Sequence, residues 1–150
     1  MNSTRKAKLI AHINRKDWWH VAPQDPRAYY ERGKFYSSTF GEAEFWGRPL
    51  DTPEHVNIQN PIVGDEPSVQ AVLFGKPVKY PGDDFPHLLK WRWKLDARMK
   101  KAALAKGYDA VVIVTAPAFK KYRAEGEIPR SIELNVLNSV WANHRSNTNR

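Results

Sequence analysis

Leu88, Trp91, Leu95, Met99 and Ala102 recur at spacings of three and four, the period of one apolar helix face. Pro86 stands where a helix opens, and Gly107 where a left-handed stop ends one. One long helix from Pro86 to about Lys106 therefore constrains everything else, because the other periodic segments are short and are closed by proline or glycine. The segment "KPVKYPGDDFP", with Pro77, Pro81, Pro86 and Gly82, has to be a loop.

Upstream, "DWWHVAP" reads as a short strand closed by Pro23. Asp25 is placed as an N-cap with Pro26 at the first helical position, opening the helix "PRAYYER", which stops at Gly33. "KFYSS" is the next strand and "FGEAEFWG" a short helix. "EHVNIQ" alternates Val56 and Ile58 against Asn57 and Gln59, the pattern of a strand, and Asn60-Pro61 turns it. "DEPSVQAVLFG" is a helix capped by Asp65 and ending at Gly75. After the long helix come a buried strand "DAVVIV", a short helix or turn "PAFKKYR" and a last strand "SIELNVLN". This mixture lacks the regular strand-helix-strand alternation that builds a parallel sheet, so the fold class is α+β.

At 150 residues and 41% hydrophobic content, the chain has the size and composition of one globular domain. Residues 1–16 form a basic N-terminal segment, 17–141 the domain and 142–150 a polar tail, with both ends expected to be loose. The absence of cysteine excludes disulfides, thiol nucleophiles and cysteine-ligated zinc. "LIAHI" is too short and polar for the core of an export signal, and no window approaches the roughly 18 apolar residues of a membrane span. The expectation is a protein of the cytoplasm, its own or that of a target cell, with no membrane contact. The formal net charge of +8 attracts nucleic acid or an acidic protein surface. Lys and Arg concentrate in the first sixteen residues and in "KWRWKLDARMKKAALAK", where Asp96 is the sole acid. Such a run is either a solvated helix face or a surface for a polyanion, the phosphates of a dinucleotide included.

Motif chemistry is sparse. No Gly-x-x-x-x-Gly-Lys loop, Gly-x-Gly-x-x-Gly turn or Gly-x-Ser-x-Gly elbow occurs. The five histidines, His12, His20, His55, His87 and His144, are scattered without metal-binding spacing, so no metal is expected. What remains is an ordered triplet: His20 after the Trp pair, Tyr36 in the glycine-led strand, and Glu133 at the start of the last strand. Three remote strands in that order can bring their residues to one cleft.

In this order of motifs the chain resembles the ADP-ribosyltransferase superfamily, in its diphtheria-toxin-like and poly(ADP-ribose)-polymerase-like branch with a His-Tyr-Glu signature. "WWHVAP", "RGKFYSSTFGEAEFWG", "KGYDAVVIV" and "SIELNVLNSV" carry the resemblance, from about Trp18 to Trp141. It implies split antiparallel sheets around an NAD cleft with flanking helices, and transfer of ADP-ribose from NAD to a protein or nucleic acid. Glu133 would be catalytic, holding a ribose hydroxyl and stabilising the oxocarbenium-like state as the nicotinamide bond breaks. Tyr36 would stack on nicotinamide, with Trp46 on its other side. His20 would hydrogen-bond a ribose hydroxyl, and the backbone of Val21 the nicotinamide amide. A toxin, an effector or a phage-encoded modifier would suit such a domain, and a toxin implies a neutralising partner.

The chain also departs from the family. Val21-Ala22 replaces the Gly and hydroxyl residue after the histidine, and Ala43 replaces a small hydroxyl residue, for which Ser37 and Ser38 are candidate substitutes. Ser131 stands two residues before Glu133, so the acceptor does not carry over. Glu127 competes with Glu133, which is preferred because Pro129 would end a strand begun at Glu127. The rival reading is a basic nucleic-acid-binding module using Trp91 and Trp93, or a degenerate NAD-binding domain. Against the module, two residues two positions apart on a helix point about 200° apart, so only one Trp can face a ligand.

Overall fold

The computed structural model describes residues 3–137; Trp141 and the tail 142–150 lie outside them. Ten elements follow in the order α1 (Ser3–Arg15), α2 (Ala28–Arg32), β1 (Lys34–Ser37), α3 (Phe40–Glu44), β2 (Pro61–Gly64), α4 (Glu66–Phe74), α5 (Leu88–Ala105), β3 (Ala110–Ile113), α6 (Ala116–Glu125) and β4 (Glu133–Val136). The strands form one four-stranded sheet in the order β1-β4-β3-β2. β1 and β3 each run antiparallel to β4, whereas β2 runs parallel to β3. The class is α+β, but the described residues form a single mixed sheet where split antiparallel sheets were expected. The parallel pair exists because α4 and α5 supply the long crossover that two parallel strands need.

Helices cover both faces, and strand alternation decides which side chains go where. On one face Leu9 and Ile13 of α1 and Phe119 and Tyr122 of α6 pack with Tyr36, Val112, Leu134 and Val136. On the other, Val69 and Leu73 of α4 and Leu95, Met99 and Ala103 of α5 pack with Ile62 and Val111. The first sixteen residues are therefore not loose where described. α1 buries Leu9 and Ile13 at 0% exposure, two residues at helical spacing among cations.

The stretch "EHVNIQ" forms no strand beyond a bridge between Glu54 and Trp18. Ile58 is buried as its alternation predicts, but its N–H donates to Asn14 Oδ1 and its carbonyl accepts from Asn14 Nδ2. The Asp109 carboxylate accepts from the N–H groups of Gln59 and Asn60. Side chains have thus taken the bonds a ladder would have used. Pro61, expected in a turn, opens β2, where an edge position tolerates the missing N–H. α2 begins two residues later than Asp25-Pro26 implies, since the Asp25 carboxylate accepts from the Arg27 N–H in a turn of its own. The long helix starts at Leu88 and ends at Ala105, and Gly107 follows at φ 88°.

Candidate functional site

Three segments that are remote in sequence stand abreast at one end of the sheet. Trp19 and Ser37 exchange backbone hydrogen bonds of 3.0 and 2.8 Å, and Ser37 is the register partner of Glu133. The row Trp19, Ser37, Glu133 floors a cleft of about 330 Å³, walled by α2, α5 and the segment after His20. His20, Val21, Tyr36, Ser37, Trp46 and Glu133 all border it. Ser38 does not.

Strand pleating corrects the ring assignment. Phe35 and Ser37 share a face with their register partners Asn135 and Glu133, whereas Tyr36 shares the opposite face with Leu134. Tyr36 is 3% exposed and sits in the core cluster with Leu134 and Val136. Its hydroxyl donates to Glu54 Oε1 at 3.4 Å, and burial pushes its pKa up. It has no free face to stack on a ligand. The ring on the Glu133 face is Phe35, 41% exposed. The sequence signal was present, because "FYS" offers two adjacent rings and only one parity matches Glu133. Choosing between them needed the register.

His20 is also committed differently from the expectation. It is 4% exposed, with Nδ1 against the Phe35 carbonyl at 2.7 Å and Nε2 against the Tyr29 hydroxyl at 2.9 Å. Its ring lies 5.5 Å from that of Tyr36. Burial lowers its pKa, keeping the imidazole neutral. Tyr29, a half-buried residue of α2 not singled out in the sequence, thus occupies Nε2 and borders the cleft alongside His20. Behind this cluster Lys34 Nζ pairs with Glu54 at 3.0 Å, and its burial lowers the amine pKa.

Ser38 is a structural residue. It is 2% exposed; its hydroxyl donates to the Ile132 carbonyl at 3.0 Å and accepts from the Ile132 N–H at 2.7 Å. This clamp fixes the residue immediately before Glu133. Glu127 is exposed and away from the cleft, which favours Glu133 between the two.

The charge around Glu133 comes from α5. Arg92 pairs with Glu66 of α4 and with Asp96, the latter at 3.1 Å. Arg92, Asp96 and Glu133 all line the cleft. Solvent reaches Glu133 through the mouth, yet the crowding walls raise its pKa, with Arg92 opposing and Glu66 and Glu42 adding to the rise. Burial pushes Asp96 up to about 6 despite Arg92. Two more aromatics complete the walls. Trp46 is 63% exposed. Trp93 carries the Arg32 guanidinium 4.6 Å from its ring centre. Trp91 packs edge-on to Tyr80 at 5.8 Å, so the two Trp residues of α5 do diverge.

Among the described residues no group of three or more His, Asp or Glu side chains is arranged to hold a metal ion, and no helix is long and apolar enough to cross a membrane. No protein-family model, curated protein or solved structure matches this chain.

Proposed function

We propose that the cleft is the NAD site of a mono-ADP-ribosyltransferase, acting on a protein or nucleic-acid acceptor in the manner of a toxin, effector or phage-encoded modifier. The observation that carries this reading is the row Trp19, Ser37, Glu133, which sets one carboxylate beside an exposed ring, Phe35, in an aromatic-walled cleft. Phe35 and Trp46, both lining the cleft with Glu133, offer ring faces to a flat cationic ring such as nicotinamide. Arg32 and Arg92 offer charge to the pyrophosphate. A ribose hydroxyl hydrogen-bonded to Glu133 gains most as the ring becomes oxocarbenium-like, so the bond strengthens in the transition state. The electron pair of the broken C–N bond leaves on nicotinamide, which becomes neutral. The acceptor forms the new bond at the same ribose carbon and loses one proton. In this reading the Tyr29 hydroxyl replaces the imidazole at the ligand surface, with His20 orienting it from behind.

The test is nicotinamide release from NAD by the wild-type protein and by Glu133→Gln, with cell extract as a source of acceptor. The variant is expected to lose about 100-fold or more while keeping its circular dichroism. Equal rates would sink the reading. One observation favours a second one, a degenerate fold that binds without catalysis: both His20 nitrogens are already engaged within the protein. NAD binding with no nicotinamide release under any acceptor would establish it.

A further inference from the structure

A second depression, outside the cleft, lies where the end of α1 meets the chain leading into β4. It measures about 530 Å³ and is lined, among the described residues, by His12, Arg15, Lys16, Ile128, Pro129 and Arg130, none of them a carboxylate. Arg15 and Arg130 are exposed and join no ion pair among the described residues. Lys16 is held in place, its Nζ donating to the Ser38 carbonyl at 2.8 Å. His12 feels Lys16 and Arg15, and its pKa falls through burial and their repulsion. Among the described residues the groove is a cationic surface whose lining carries no acid.

The groove and the cleft lie near each other along the chain. Arg130 is three residues from Glu133, about 10 Å of extended chain. Between them Ser131 bonds to Glu42 of α3, and Lys16 reaches Ser38 on the strand that borders Glu133. Lys16 reaches Ser38, two residues before Phe40, and exposed rings follow from there. Phe40 is 39% exposed and meets Trp19 edge-on at 5.2 Å. Phe45, 81% exposed, meets Trp46 edge-on at 4.9 Å. Flat exposed rings beside a cation-lined groove are the pairing that holds single strands: cations follow phosphates, and unstacked bases lie on rings. An acidic polypeptide uses the cations but gives the rings nothing to stack, and a duplex hides its base faces.

We infer that the groove and these rings are the docking path of the acceptor, and that the acceptor is a single-stranded nucleic acid delivered to Glu133. The acceptor role rests on the transferase reading; the ligand class of the groove is tested without it.

The experiment is fluorescence anisotropy of a labelled single-stranded oligodeoxynucleotide of mixed sequence, titrated with the full chain over a salt series. Each phosphate contact contributes a slope of about −0.7 to log affinity against log salt. The double variant Arg15→Ala/Arg130→Ala should therefore flatten the slope by about 1.4 and bind about 25-fold more weakly near 0.1 M salt. Phe45→Ala should weaken binding about fivefold or more with the slope unchanged. Unchanged affinity and slope in the arginine variant would overturn the assignment, as would equal binding of the same sequence as duplex, or equal displacement by polyglutamate at matched charge. The two readings fail separately. Nicotinamide release lost in Glu133→Gln, with oligonucleotide binding indifferent to the arginines, removes the docking path alone. The expected binding pattern without nicotinamide release by wild type removes the acceptor role and leaves the groove's ligand class.

Discussion

Replacing Asp96 by Asn tests the charge balance around Glu133 by a route that needs no ligand. The Asp96 carboxyl is 12% exposed, and burial lifts its pKa from 3.8 to about 6 even with Arg92 at 3.1 Å. A rise of about two units corresponds to about 3 kcal/mol favouring the protonated form in the folded state. Because the folded-state value lies above the unfolded one, this stabilisation is fully present below about pH 4 and is lost as pH rises through about 6. At neutral pH the ionised side chain thus costs about 3 kcal/mol. Asn keeps the shape and an oxygen that accepts from Arg92 without the charge. Asp96→Asn is expected to be about 1–3 kcal/mol more stable than wild type at pH 7, with the difference vanishing toward about pH 4. Urea unfolding of both proteins from about pH 3.5 to about 8 reads this directly, since acids common to both largely cancel in the difference. Parallel stability curves, or a variant weaker than wild type at pH 7, would refute the reasoning.

Phe35→Ala should weaken NAD binding about tenfold, and isothermal titration that finds it unchanged would show that the Phe35 ring does not face the ligand. Gly33→Ala should cost about 2–4 kcal/mol in chemical unfolding, because φ is +94° there and the added carbon would meet Asn135 Oδ1 at 2.1 Å. Ser38→Ala strands the buried N–H and carbonyl of Ile132 and should cost about 2–4 kcal/mol. Hydrogen exchange should then rise at Ile132 and Glu133 before it rises in α5.

The elements readable in the sequence were those whose apolar pattern matches the faces they bury. α5 announced itself through Leu95 and Met99, and β3 and β4 through apolar runs that end buried. The stretch "EHVNIQ" and the Asn60 after it misled because Asn14 and Asp109, 44 and 49 or 50 positions away, take the backbone bonds of Ile58, Gln59 and Asn60. α1 was hidden by its charge, although Leu9 and Ile13 stand four apart. At the site, Glu133 and Trp46 were legible as residue types. The choice of Phe35 over Tyr36 was not, because both are rings and parity is set by pairing with β4. Nor was the Tyr29 hydroxyl on His20, which depends on how α2 lies over β1.

Among the described residues β4 is the last strand in sequence but second in the sheet, inserted between β1 and β3. A chain still being translated therefore holds two unfilled strand edges and no acid beside Ser37 until residues 133–136 arrive. On this topology a fragment ending before Ser131 should accept a donated β4 strand. A peptide spanning 130–137 added to such a fragment is a split-protein switch in which one binding event completes both the sheet and the cleft.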